Sequence, residues 1–183
     1  IGYGAVHRAT GQAKWKERAL AAYETFLRYQ REPGRIAPKV SPETRPMKGL
    51  APLMMTLVTA QDLRADLGDV TVLGRTLSQW AREAIDEIAR DFVKPDLRAV
   101  MEVVGPSGEV LDHFDGRLLN PGHAIEAAWF VLREARRADD AKLKQLGLAM
   151  LDYMWERGWD TEHGGLFYFR DLKGLPVQEY WHD

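Results

Sequence analysis

Apolar residues recur at a spacing near 3.6 along most of this 183-residue chain, which predicts a mainly helical protein. After Thr10-Gly11 the pattern predicts a helix from about Gln12 to Arg31, stopped by Pro33-Gly34. A polar, proline-bearing loop follows from Arg35 to Pro46. A second helix is expected from about Met47 to Asp66, ended by Gly68. Thr71 is placed to cap a third, running to about Val93 and stopped before Pro95. A fourth starts near Asn120 and runs to about Ala138, and a fifth spans about Asp140 to Arg157. Two short β-hairpins complete the expectation. One joins Val100–Val104 to Glu109–Leu111 around Gly105-Pro106-Ser107-Gly108, and the other joins Gly164–Arg170 to Val177–Trp181 around Lys173-Gly174.

The helices are of two kinds, and they alternate. Gln12–Arg31 and Thr71–Phe92 are laced with charge and have the look of amphipathic helices with one wet face. Met47–Ala60 carries Lys48 as its only charge, and Asn120–Leu132 only Glu126, so both are expected to be buried on nearly all sides. Lys142–Arg157 returns to the amphipathic type. Alternating exposed and buried helices predict two concentric layers, an all-α toroid of stacked helical hairpins. An open helical solenoid is the competing architecture. It is disfavoured because the inner helices are too apolar to line an open concave surface.

Composition narrows the partners. With 45% hydrophobic and 28% charged residues the chain has the make-up of a single globular domain over 1–183. A net charge of −2 leaves no basic surplus to neutralise phosphates, which argues against nucleic acid. No apolar run approaches the roughly 20 residues of a membrane helix. Zero cysteines exclude thiolate catalysis and zinc–thiolate sites, and fit the cytoplasm without requiring it. The start at Ile1 and the aromatic-rich end at Glu179-Tyr180-Trp181-His182-Asp183 suggest that both ends are cuts, so that a signal peptide can have preceded Ile1.

An inner helix meets a ligand at its end, and the fourth helix begins with Asn120-Pro121-Gly122-His123. Asn120 suits the N-cap and Pro121 the first helical position. His123 then lies in the first turn, where free N–H groups point outward. Glu126, three residues on, shares its face and is placed to orient the imidazole, to bind a polyol hydroxyl or to close a capping box. Imidazole titrates near neutral pH, so His123 can exchange a proton in the working range. Spacing alone leaves a second reading with equal standing, in which His123 is a capping or packing histidine.

The run Gly116-Arg117-Leu118-Leu119-Asn120-Pro121-Gly122-His123-Ala124-Ile125-Glu126-Ala127-Ala128-Trp129-Phe130 resembles the N-acylglucosamine 2-epimerase family. So do Gly158-Trp159-Asp160-Thr161-Glu162-His163-Gly164-Gly165-Leu166-Phe167-Tyr168-Phe169, Pro46-Met47-Lys48-Gly49-Leu50-Ala51-Pro52-Leu53-Met54-Met55 and Met101-Glu102-Val103-Val104. The resemblance implies an (α/α)6 barrel of twelve helices. About five of them, with the two hairpins, lie in this chain as its central fragment. It also implies inversion at C2 of a sugar by proton removal and return, with no metal and no cofactor.

By the same resemblance His123 is one of two acid/base histidines, supported by Glu126. Arg117, Glu102, Asn120 and Trp181 are candidates for sugar contacts. The partner is a small sugar, and a homodimer of the full-length protein is admitted. The second histidine, with a Trp-Trp-Pro-His-like stretch, is expected past Asp183, and a substrate-binding arginine before Ile1. The 183 residues alone are therefore expected to lack epimerase activity. Cellobiose-type relatives carry a further histidine on the helix matching Met47–Asp66. It is absent here, which favours the N-acylhexosamine branch over cellobiose 2-epimerase or an aldose–ketose isomerase.

Other features carry less. A toroidal glycoside hydrolase needs two carboxylates across a groove, for which Glu126 with Glu102 or Asp160 can be offered. A non-catalytic carbohydrate-binding toroid needs neither. His113, Asp115 and His123 can be drawn as a metal set, but His113 reads as a loop residue and His163 as part of a turn. Trp15, Trp80 and Trp155 are assigned to packing. Gly2-x-Gly4 and Gly105-x-x-Gly108 lack the strand–helix context of a phosphate loop, so no nucleotide or ATP site is placed.

Overall fold

Side-chain burial follows the helical period throughout the computed structural model, which describes residues 1–32, 34–37 and 41–177. Among these, six α-helices and eight two-residue strands are found. The chain divides into two units, residues 1–42 with 52–86, and residues 43–51 with 87 onwards.

In the first unit, α1 (Gly2–Thr10) and α2 (Ala13–Arg31) form a helical hairpin about Gly11, which is left-handed at φ 68°. The first helix expected from the sequence starts at about Gln12, and α1 precedes it as a helix of its own. α3 (Ala51–Leu67) buries Leu53, Met54, Leu57, Ala60 and Leu63. Its partner on α2 is Tyr23, whose hydroxyl donates to the Thr56 carbonyl at 3.0 Å. α3 starts later than the Met47 expected, because Lys48–Gly49 is a strand, β1. Its stop at Gly68 is as expected, with φ 82° and the Gly68 N–H returned to the Arg64 carbonyl at 3.0 Å.

The third predicted helix loses its first turn. Thr71–Val72 (β2) and Arg75–Thr76 (β3) pair in a tight hairpin across Leu73-Gly74, both at positive φ. α4 (Leu77–Glu87) is capped by Thr76, not by Thr71. The Gln79 N–H donates to the Thr76 hydroxyl at 3.2 Å, and the Thr76 N–H donates to the Gln79 side chain at 2.8 Å. This reciprocal pair is a capping box. Thr76→Ala is expected to lower stability by about 1 kcal/mol in urea unfolding. An unchanged midpoint would show that the box contributes nothing.

In the second unit, α4 is followed by a π-helical turn, Ile88–Phe92, and by β4 (Val93–Lys94). The wider turn carries Asp91, 2% exposed, into contact with Lys48 at 2.5 Å and with Arg90 at 2.7 Å. The hairpin predicted around Gly105 does not form. β5 (Ala99–Val100) pairs with β4, and β6 (Val103–Val104) pairs with β1. Two different partners split the run at Met101-Glu102, and the glycine turn is closed by the Gly105 N–H to the Glu109 carbonyl and the Gly108 N–H to the Gly105 carbonyl, both at 2.9 Å.

α5 (Pro121–Ala138) and α6 (Ala141–Gly158) form an antiparallel hairpin joined through Asp139-Asp140. Asp140 caps α6 through the N–H groups of Lys142 and Leu143 at 2.9 and 3.1 Å. α5 packs against α6, and Ala124, Ala127, Ala128 and Val131 are buried. Gly147 permits the approach, since a Cβ there would lie 2.7 Å from Leu132 Cγ. α5 is not buried all round, because Trp129 is 56% exposed. Trp155 on α6, assigned to packing between the layers, is 47% exposed and stacks on Trp159 at 5.0 Å. Trp80 is buried as expected, its indole N–H held by the Val72 carbonyl at 2.9 Å. The second predicted hairpin is also re-paired. Arg170–Asp171 (β8) pairs with Leu118–Leu119 (β7), while the proposed partner strand from Val177 runs outside the described residues.

Candidate functional site

The start of α5 is built as its sequence requires. The Asn120 side chain accepts the His123 N–H at 3.1 Å, and Pro121 occupies the first helical position. This fixes the main chain of His123 in the first turn. Its imidazole Nδ1 lies 3.0 and 3.2 Å from the two carboxylate oxygens of Glu102. Glu102 sits where the strands diverge between β5 and β6, and its carbonyl accepts the Leu50 N–H at 2.9 Å. Both flanks of the glutamate are therefore held by backbone pairing.

Burial pushes the Glu102 carboxyl above the usual glutamate range. The His123 charge and hydrogen bond offset that only in part. The glutamate side chain is 17% exposed and the histidine side chain 42%. When the carboxylate accepts Nδ1–H, the lone pair of the ring lies on Nε2. Among the described residues no hydrogen bond engages that nitrogen. A half-exposed imidazole backed by a buried carboxylate is an arrangement that takes a proton from, or returns one to, a molecule in solution.

The sequence-predicted residues fall into three groups. His123 and Glu102 are brought together, although they had been read separately. Glu126 is exposed and does not hold the imidazole; Glu102 does so instead. Nor does Glu126 close a capping box, since His123 is three positions after the cap and Glu126 is six. Asn120 is 6% exposed, and its side-chain oxygen caps the helix. Arg117 is committed to carboxylates, with Nε to Asp171 at 3.0 Å and Nη1 to Asp112 at 3.0 Å. Trp181 lies outside the described residues. His113 accepts the Gly116 N–H at 3.2 Å, and His163 closes a turn through Asp160, whose carboxylate accepts its N–H at 3.1 Å. Among the described residues no group of three His, Asp or Glu is placed to hold a metal, and no helix is long and apolar enough to cross a membrane.

The sequence profile of N-acylglucosamine 2-epimerase (GlcNAc 2-epimerase) matches residues 56–182, more than half of the chain. The chain belongs to the N-acylglucosamine 2-epimerase family. It is 34% identical over 177 residues to the N-acylglucosamine 2-epimerase of Bos taurus, covering 95% of this chain and 41% of that protein. It is 34% identical over 180 residues to that of Mus musculus, covering 95% and 41%. Against that of Homo sapiens it is 32% identical over 181 residues, covering 95% and 40%. The chain thus spans about two-fifths of the length of these curated relatives. A crystal structure of a D-mannose isomerase superposes with a TM-score of 0.44 at 11% identity, covering 94% of this chain and 62% of that one. The family's matched segment contains both members of the His123–Glu102 pair.

Proposed function

We propose that this chain supplies a proton-transfer pair to a sugar 2-epimerase, with N-acetylglucosamine and N-acetylmannosamine as the interconverted sugars. The observation that carries the reading is the contact of His123 Nδ1 with the Glu102 carboxylate at 3.0 Å, at the mouth of α5. In the open-chain sugar the C2 proton is acidified by the adjacent aldehyde. His123 Nε2 takes that proton, and the C–H electron pair moves into the C1–C2 bond while the carbonyl electrons pass to O1. Glu102 stabilises the resulting imidazolium. Return of a proton to the opposite face of C2 gives the epimer. The donor on that face is assigned to a histidine beyond residue 183, and the complete site to an (α/α)6 toroid that this chain builds in part. The α1–α2 and α5–α6 hairpins are the units such a toroid stacks. Family membership and the curated relatives' names support the sugar.

The test is exchange of the C2 proton in deuterated buffer by the full-length protein. N-acetylmannosamine is expected to incorporate deuterium and epimerise, while cellobiose and mannose do so far more slowly. Exchange with mannose or cellobiose alone would move the substrate to another branch of the family. The isolated 183 residues are expected to show no exchange, and turnover by them would overturn the assignment of a donor outside this chain.

A further inference from the structure

The segment after α6 folds back over the start of α5. Gly158 lies so near Pro121 that a Cβ on the glycine would sit 2.5 Å from the proline Cβ. The Phe167 N–H donates to the Gly158 carbonyl at 2.8 Å, and β8 then pairs with β7, which ends directly before the cap Asn120. Arg117 fastens this return. Its guanidinium bridges Asp171 and Asp112, and its carbonyl accepts the Leu172 N–H at 2.9 Å. Lys173 reaches the same Asp112 at 2.7 Å, and Asp171 also accepts the Lys173 N–H at 2.7 Å. The Arg117 and Asp171 side chains are only 14% and 6% exposed, so the pair is buried within the strap and not at its rim.

We propose that Arg117 and Asp171 are positioning residues, whose ion pair latches the strap onto the start of α5 and so sets His123 against Glu102. The proposal rests on reading His123 and Glu102 as the proton-transfer pair. Arg117 connects to His123 along a path of six residues, on which Leu118 and Leu119 pair with β8 and the Asn120 side chain caps the His123 N–H. A planar guanidinium with its fork filled by two carboxylates has its charge neutralised and those donors turned away from a sugar. This departs from the sugar-contact role that the family resemblance suggests for Arg117.

Arg117→Ala, Asp171→Asn and the double variant are compared in the full-length protein, with Arg82→Ala, from an exposed ion pair, as the unaffected control. Each latch variant is expected to lower kcat about a hundredfold with KM held within about threefold, the cost of an ångström-scale misplacement. The double variant should be no worse than either single one. Arg117→Lys and Asp171→Glu keep the charges but not the fork, and serve if a truncated variant fails to fold. A sugar-binding Arg117 predicts the opposite pattern, with KM raised by Arg117→Ala and both constants untouched by Asp171→Asn, and that result overturns the proposal. A second readout is the His123 imidazole N–H signal in 15N-histidine-labelled protein, which should shift or broaden in Asp171→Asn. If His123→Ala leaves turnover intact while this signal still moves, the proton-transfer reading fails and the latch stands. If His123→Ala abolishes turnover and Asp171→Asn changes neither kcat nor the signal, the latch alone fails.

Discussion

His123→Ala in the full-length protein is expected to cut C2 exchange and epimerisation by about 10²–10⁴-fold, the range for loss of a general acid–base group. KM should change little, because the imidazole acts on the proton and not as a holder of the sugar. The fold should survive. The backbone N–H of His123, not its side chain, is the group bound by Asn120, so the cap remains. The side chain is 42% exposed and gives up little packing. What the substitution leaves behind is a buried Glu102 without its partner. That carboxyl is already pushed upward by burial and relieves its charge by taking a proton, so the variant is expected to lose less stability than an unpaired buried charge costs. Steady-state kinetics, deuterium incorporation and a thermal melt together check this. Turnover within twofold of the parent would remove His123 from the chemistry.

What could be read from the sequence was local. Asn120-Pro121 announced a helix start because the cap binds an N–H only three residues on, and Gly68 announced a stop because a glycine takes the left-handed turn that ends a helix. The charge pattern placed most helices within a few residues. Pairings across distance were not legible. Glu102 and His123 are 21 residues apart and meet because β5 and β6 part company at Met101-Glu102, a break that two-residue strands do not write into any hydrophobic period. Glu126, at helical spacing from His123, therefore looked the better partner. Lys48 appeared as a lone charge on an apolar helix. It belongs instead to a strand, and it is spent on Asp91, which the π-helical turn points at it. The Thr76–Gln79 box was present in the sequence, but Thr71, three residues after the helix-end signal Gly68, took its place as the obvious cap. Arg117 shows the limit of motif reasoning: its carboxylate partner Asp171 lies 54 residues away.

Glu102→Gln should separate activity from stability. The amide oxygen can still accept Nδ1–H and hold the ring, so the geometry and KM are expected to persist. Its lack of charge withdraws support from the imidazolium formed when C2 gives up its proton. A fall in kcat of about 10²-fold is expected, at the lower end of the range for a positioned acid–base contribution. Stability should respond in the other direction. Burial raises the folded-state pKa of Glu102 above its unfolded value, with the His123 contact offsetting only part of the shift. A group shifted upward stabilises the fold fully below the ordinary glutamate range and loses that contribution as pH rises through the folded-state value. At neutral pH the parent bears this cost and the glutamine variant does not. The variant should therefore melt higher than the parent near pH 7, with the gap closing as the pH is lowered into the carboxylate range. Lower activity with equal or lower stability at every pH would mean that the carboxylate serves chiefly as a structural partner. The stabilised but slower enzyme is the outcome expected where a buried charge is kept for its chemistry.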